Sequence, residues 1–168
     1  VGASLSIARK VKWPDDYFQI SHTLSYHRSQ VQNYSYFIFR TGYANSFSYI
    51  FTIARNSVSA PIYPREGSEI MFSVQLTPPY SLFKKNVDYS SMTNQQKYKW
   101  LEFHKWKLNV SWYTRIVENL VFFVRMKMGF MGCYNKAIGP SPFERFYLGG
   151  DGLSTYTMMD AREVIGMR

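Results

Sequence analysis

The chain is short of cysteine, of long apolar runs and of acidic residues, and each shortage narrows what the protein can be. Cys133 is the single cysteine among 168 residues, so no disulfide can form within the chain. No stretch approaches the roughly 20 consecutive apolar residues of a membrane-spanning helix, which excludes a helical membrane protein. The first residues also lack the charged-then-apolar pattern of a signal segment, and we interpret the chain as beginning inside a longer protein.

The shortage of acid leaves the chain strongly basic. Lys and Arg number 20 against 11 Asp and Glu, for a formal net charge of +9. In a soluble protein this excess would indicate a nucleic acid or an anionic surface as the partner. The basic residues are scattered along the chain rather than gathered in a run. We therefore predict no nucleic-acid partner, and keep a soluble β-barrel that binds a ligand or nucleic acid as an alternative.

Catalytic and metal-binding patterns are also missing from the sequence. The histidines His22, His27 and His104 are scattered, and no spacing matches a zinc site. Asp15 and Asp16 fall in a predicted turn, where aspartate is common for conformational reasons. We predict that the protein is not an enzyme and uses no metal or cofactor.

The chain is rich in aromatic residues, at 18%, and in apolar residues that alternate with polar ones. In the clearest stretch, Phe47, Tyr49 and Phe51 alternate with small residues, which is the period of a β-strand with two unlike faces. Prolines and glycines separate such stretches into strands. We predict six antiparallel strands, at about 2–11, 17–28, 46–54, 69–77, 105–112 and 121–130.

Three features favour lipid rather than water around the apolar face. The predicted strands span about 10–13 residues, whereas globular strands average roughly 5–6 and a tilted membrane strand needs about 9–11. The connections alternate between short and long, as they do at the two rims of outer-membrane barrels. Aromatic residues typical of membrane interfaces lie near strand ends, namely Trp13, Tyr17, Tyr26, Trp106 and Trp112. The sequence predicts an all-β fold, an antiparallel transmembrane β-barrel segment, with a soluble sheet packed on a core as the alternative.

The face opposite the apolar one carries charge and would line the interior of the barrel. A water-filled lumen accepts charge, whereas Arg or Lys at mid-depth on the lipid face would cost about 2–4 kcal/mol. His22 interrupts the apolar face, and we interpret it as a histidine near the interface rather than a ligand. The residues predicted to face the lumen with a charge are Glu69, Lys105, Lys107, Arg125 and Lys127.

Six strands are too few to close a membrane barrel, since bacterial ones begin at about eight. An open sheet in lipid would leave edge N–H and C=O groups unsatisfied, at several kcal/mol each. We therefore expect the chain to be part of a larger barrel. Its central strands would occupy residues 1–131, and residues 132–168 would begin a long extracellular or lumenal loop.

Three segments of the chain resemble one known family. Residues 142–150, PFERFYLGG, resemble the segment that opens the sixth extracellular loop of the BamA family, the assembly factors for outer-membrane proteins. Residues 165–168, IGMR, resemble the approach to a second motif of that loop. Residues 63–68, YPREGS, are similar to a periplasmic turn of the family.

The resemblance implies a sixteen-stranded barrel, of which this chain would supply the sixth to eleventh strands and part of the sixth loop. It also implies that the loop folds back into the lumen. Arg168 is then expected to pair with carboxylates on later strands, because a guanidinium can hold a carboxylate by two parallel hydrogen bonds. The loop residues to which the family assigns this packing are Phe146, Tyr147, Gly149, Gly150 and Arg168.

The resemblance further implies a role in the assembly machinery of the bacterial outer membrane. Such a protein thins the membrane locally and opens a seam between its first and last strands, where incoming strands pair. The implied partners are nascent outer-membrane proteins, accessory lipoproteins of the assembly complex and outer-membrane lipid. A related outer-membrane pore for protein secretion, or for passive or gated transport, is the alternative.

Overall fold

A computed structural model of the chain describes residues 1–33, 40–83, 92–148 and 163–165. The described residues form six long antiparallel strands, two short helices and a pair of short strands, which confirms the predicted all-β fold. Within this part of the chain, no helix is long and apolar enough to cross a membrane. The elements are β1 Gly2–Val11, β2 Phe18–Val31, β3 Gly42–Asn56, β4 Gly67–Leu76, α1 Tyr80–Phe83, α2 Asn94–Lys97, β5 His104–Val117, β6 Leu120–Gly132, β7 Phe146–Leu148 and β8 Glu163–Ile165.

The six long strands lie in one sheet in chain order, each hydrogen-bonded to the next. Residues 12–17, 57–66 and 118–119 connect them at one end of the sheet, which we call the short-turn end. Residues 32–41 and 77–103 connect them at the other end, and residues 133–145 leave β6 there; we call this the long-loop end. β7 and β8 form a separate parallel pair beyond β6.

Strand register places the alternating residues on two distinct faces. Leu24 lies between Leu5 and Tyr49 on the neighbouring strands, and the same pairing continues across the sheet. Because side chains alternate along a strand, this register gathers most of the large apolar residues on one side, which we call the apolar face. The opposite side, which carries Ser48 and Ser73, is the polar face.

From β3 to β5, burial on the two faces is the inverse of that in a water-soluble protein, whereas β1 and β6 at the edges of the sheet are largely exposed on both faces. On the apolar face, Trp106 is 40% exposed and Trp112 is 59% exposed. On the polar face, Ser48 is 1% exposed and Ser73 is 5% exposed. Soluble proteins cover their large apolar side chains and expose most of their serines, so this sheet is built for a non-aqueous surrounding on its apolar side.

Three strands, β2, β3 and β5, extend well past a predicted end. β2 continues to Val31 and β3 begins at Gly42, although the polar residues there had been assigned to a long connection. A backbone ladder needs no apolar side chains, and the guanidinium of Arg28 also lies 4.7 Å from the centre of the Tyr43 ring. β5 likewise runs on to Val117, past its predicted end at about residue 112.

A small apolar cluster lies at the long-loop end. Ala44 of β3, Leu101 and Phe103 form its buried centre, and Tyr98 and Phe143 pack against it. The segment that carries Leu101 is held by the backbone of β3, since the Leu101 amide donates to the Asn45 carbonyl at 2.9 Å. The cluster therefore joins the connection before β5 and the segment after β6 to the end of the sheet.

Candidate functional site on the polar face

The polar face has two unlike halves, and the half formed by β1 to β4 carries small hydroxyl side chains. Hydroxyl groups meet across neighbouring strands, with Ser6 and Thr23 at 2.8 Å and Thr52 donating to Ser73 at 3.1 Å. The Gln75 amide donates to the Ser48 hydroxyl at 3.1 Å. Side-chain hydrogen bonds thus satisfy polar groups within this half, and Lys10 of β1 is an exposed basic residue on the same face.

The half formed by β4 to β6 carries charge. Register places Ser111 between Glu69 and Arg125, and Lys127 opposite Asn109. The five residues predicted to face the lumen therefore share one face, and four of them are basic. They are Glu69, Lys105, Lys107, Arg125 and Lys127.

Lys105 is the most deeply placed of these charges. The residue is 2% exposed, and its ammonium lies 3.1 Å from a carboxylate oxygen of Glu144. The ammonium also lies 4.7 Å from the centre of the Phe146 ring, within the range of a cation–π contact. A strand residue thus contacts two residues of the segment that resembles the family's loop motif.

The segment after β6 makes further contacts at the long-loop end. The Tyr98 hydroxyl donates to the Ile138 carbonyl at 3.0 Å, and Phe143 packs on the apolar cluster. Ser141 is 2% exposed. These contacts bring the segment over the polar face instead of leaving it extended into solvent.

A buried carboxylate, Glu102, organises the connection before β5. It accepts hydrogen bonds from the Ser81 amide at 2.5 Å and from the Ser81 hydroxyl at 2.6 Å. Burial raises the pKa of Tyr80, and the negative charge of Glu102 raises it further. Burial is also the main cause that raises the pKa of Tyr134, with Glu102 adding to it and a hydrogen bond to the Thr77 backbone opposing it.

The predicted loop residues fall partly within the described chain. Phe146 lies in β7 over Lys105, and Tyr147 is the next residue of the same strand. β7 pairs in parallel with β8, which the sequence did not indicate. Gly149, Gly150 and Arg168 lie outside the described residues, so their role in the lumen stays a prediction.

Two polar residues on the apolar face, His22 and Arg55, have partners that the sequence pattern did not show. Nδ1 of His22 lies 2.6 Å from the Tyr49 hydroxyl, and its ring lies 5.2 Å from that of Phe51. Arg55, near the short-turn end, forms a 2.9 Å ion pair with Asp15. Both partners stand on other strands or turns, so only the sheet register could reveal them.

Sequence reasoning missed Glu144, Glu102 and Arg55 as structural residues. A lone acid within a basic stretch is the signal that could have identified Glu144, because the sequence between 133 and 146 contains no other acid. The Lys105 contact required knowing that the loop returns to the sheet. Chemically, the charged half of the face can hold a chain segment that carries a carboxylate.

Comparison with known proteins agrees with this architecture. A model of the Omp85 superfamily domain matches residues 1–155. No curated protein matches the chain. Proteins of this superfamily are outer-membrane β-barrel proteins of Gram-negative bacteria, which accounts for an exposed apolar face opposite a polar one. The chain belongs to the Omp85 superfamily.

Proposed function

We propose that the protein inserts and folds nascent outer-membrane proteins, as the BamA family does. The observation that carries this proposal is the segment 142–150, which resembles the family's loop motif and whose residues Glu144 and Phe146 lie on the polar face. A loop that returns to the barrel interior is expected of such a factor. Membership of the Omp85 superfamily supports the same proposal at a coarser level.

The proposed mechanism uses backbone hydrogen bonding rather than catalytic chemistry by side chains. The six strands would be part of a sixteen-stranded barrel whose first and last strands form a seam that can open. Exposed N–H and C=O groups cost several kcal/mol each in lipid, so an open seam is a strong template for an incoming strand. Local thinning of the membrane would lower the cost of inserting that strand.

The proposed partners follow from the same mechanism. The apolar face would contact outer-membrane lipid, and the seam would receive nascent outer-membrane proteins. Accessory lipoproteins would bind the full-length protein outside the strands described here. No nucleic acid is proposed as a partner, since the basic side chains of the polar face would line the interior of a closed barrel.

A reconstitution of the full-length protein tests the proposal. Vesicles that contain it would receive a urea-unfolded outer-membrane protein, and the rate of appearance of the folded, heat-modifiable form would be measured. Vesicles with an unrelated barrel of similar size serve as the control. We expect faster folding only with the full-length protein; equal rates in both vesicle types would contradict the proposal.

A pore for protein secretion or transport is the second candidate, and one property of the polar face favours it. Hydroxyl and charged side chains along β1 to β6 would suit an aqueous passage. The same vesicles separate the two candidates. Ion conductance or passage of an exported polypeptide, without faster folding of a barrel protein, would indicate the pore.

A further inference from the structure

We propose that Lys105 is the residue that anchors the segment after β6 to the barrel wall, and that Glu144 is the residue of that segment which Lys105 recognises. The occupant of this part of the polar face is therefore a segment of the same chain. The anchor would operate in an assembly factor and in a secretion pore alike, so it does not depend on the proposed function.

The first argument is the burial of a charged lysine. Lys105 is 2% exposed, and lysine is almost never found at this burial without a partner. Removing an ammonium from water is unfavourable, and close opposite charge together with hydrogen bonds offsets that cost. The Glu144 carboxylate, at 3.1 Å, supplies both, whereas the neighbouring strand residues Gln75 and Met131 carry no charge.

The second argument is that the segment is attached by consecutive contacts of different kinds. Phe143 packs on the apolar cluster, Glu144 pairs with Lys105, and the Phe146 ring lies beside the same ammonium. Arg145, between them, is exposed. The segment thus directs its apolar and acidic residues to the wall and its basic residue away from it. This selection shows that the segment is attached to the wall by specific contacts.

The third argument is the charge of the wall. The charged half of the polar face has five basic residues, Lys105, Lys107, Arg115, Arg125 and Lys127, and one acid, Glu69. Among residues 133–146, Lys136 and Arg145 would be repelled by this half, and Glu144 is the one acid that it would attract. Within residues 133–146, electrostatic complementarity therefore favours Glu144 as the residue that meets this half of the face.

The anchor has a consequence for the loop motif. Phe146 begins β7, and Gly149 and Gly150 follow Leu148 directly in sequence. A contact at Glu144 therefore holds the first part of the motif, up to Phe146, against the wall. Lys105 is in this sense a positioning residue, since it acts through the placement of the loop and not on a substrate.

Hydrogen exchange of the full-length protein, folded in detergent, tests the anchor. We would measure exchange of the peptide covering residues 143–148 in wild type, Glu144→Gln, Lys105→Met and the swapped pair Lys105→Glu/Glu144→Lys. Loss of a buried charge partner should speed exchange there by about tenfold or more. The matched control is Lys10→Met, which removes an exposed lysine from the same face at β1.

Each outcome decides the matter. Faster exchange in both single variants, with recovery in the swapped pair and none of the change in Lys10→Met, is the expected result. Wild-type exchange in Glu144→Gln, or equal acceleration in the swapped pair and the single variants, would overturn the anchor. Heat-modifiable migration confirms that each variant is folded, and Glu144→Gln keeps the test decisive if Lys105→Met does not fold. Folding of substrate proteins is not the readout, so the result is separate from the proposed function.

Discussion

The two ends of the sheet are stabilised in different ways. At the short-turn end, most contacts join residues close in sequence: the Tyr17 amide donates to Asp15, and the Arg65 amide donates to the Ser59 hydroxyl. At the long-loop end, contacts join distant segments, as in the pairing of Asn45 with Leu101. Hydrogen bonds within the turns stabilise much of the short-turn end, and packing between segments distant in sequence stabilises the long-loop end.

The ion pairs Arg55–Asp15 and Lys105–Glu144 differ in exposure and not in sequence separation. The side chains of Arg55 and Asp15 are 25% and 33% exposed, whereas those of Lys105 and Glu144 are 3% and 24% exposed. Both pairs join residues far apart in sequence, and the difference lies in Lys105, whose burial reduces the screening of its pair by water. Substitutions at the long-loop end should therefore cost more than similar substitutions at the short-turn end.

The largest effect is expected from Phe103→Ala at the long-loop end. Phe103 is fully buried in the apolar cluster, and removing a buried phenyl ring typically costs about 3–5 kcal/mol. The control is Phe83→Ala, because the Phe83 residue at the same end is 78% exposed. Guanidinium unfolding of the full-length protein in micelles measures both variants. A loss in Phe103→Ala no larger than that in the control would remove the distinction between the two ends.

The largest effect at the short-turn end should come from Gly67→Ala. Gly67 has a φ of +110°, and an added Cβ would overlap the Ser57 carbonyl oxygen. Such a backbone costs about 1–3 kcal/mol for a residue other than glycine, and the exposed turn can shift to relieve part of the overlap. The same unfolding experiment measures it, with Ala60→Gly in the preceding turn as a comparison. A cost above that of Phe103→Ala would reverse the ranking of the two ends.

A smaller effect is expected from Arg55→Lys. The guanidinium bonds Asp15 and also donates to the hydroxyls of Ser57 and Ser68, at 2.9 and 2.7 Å. Lysine keeps the charge but loses the planar fork, and a partly exposed pair contributes about 0–1 kcal/mol. A double-mutant cycle with Asp15→Asn measures the coupling. Coupling well above this range would show that the short-turn end is less screened than its exposure indicates.

The smallest effect concerns alkaline pH and only the long-loop end. Because the pKa values of Tyr80 and Tyr134 are raised, these phenols stay neutral in the folded loops while unfolded tyrosine ionises from about pH 10. The contribution of these two neutral phenols to the free energy of unfolding is therefore complete below pH 10. It is lost as the pH rises through the pKa values of the phenols in the folded protein. Ultraviolet titration of tyrosinate should show a late component that Tyr80→Phe and Tyr134→Phe each reduce. A titration unchanged by both substitutions would contradict the environment described for these residues.

Much of the sheet could be predicted because its signal repeats every two residues. Tyr49 and Phe51 predict the apolar face of β3 without any knowledge of the other strands, since a strand side chain can take only one of two sides. The bounds of β2, β3 and β5 were predicted less well. Residues such as Tyr43 and Asn45 join the ladder through backbone groups, which every sequence has.

The site was predictable only as far as it lies on regular strands. Alternation assigned Lys105 and Lys107 to the same face, and register confirms that they share it. It could not show that Lys105 is buried, because the residues that cover it, Glu144 and Phe146, come from a segment with no repeating pattern. The same reason hid the pairing of Glu102 with Ser81.

The sequence by itself determined the six amphipathic strands, the two unlike faces and the resemblance of residues 142–150 to a known loop motif. Only the tertiary structure decided which charges are paired, where the long segments fold back and which lysine they cover. Alternation is a local property, since steric constraints on the backbone impose it residue by residue. The Lys105–Glu144 contact is not local: it forms only after two strands and a returning segment have been brought together, and no short stretch of sequence encodes that placement.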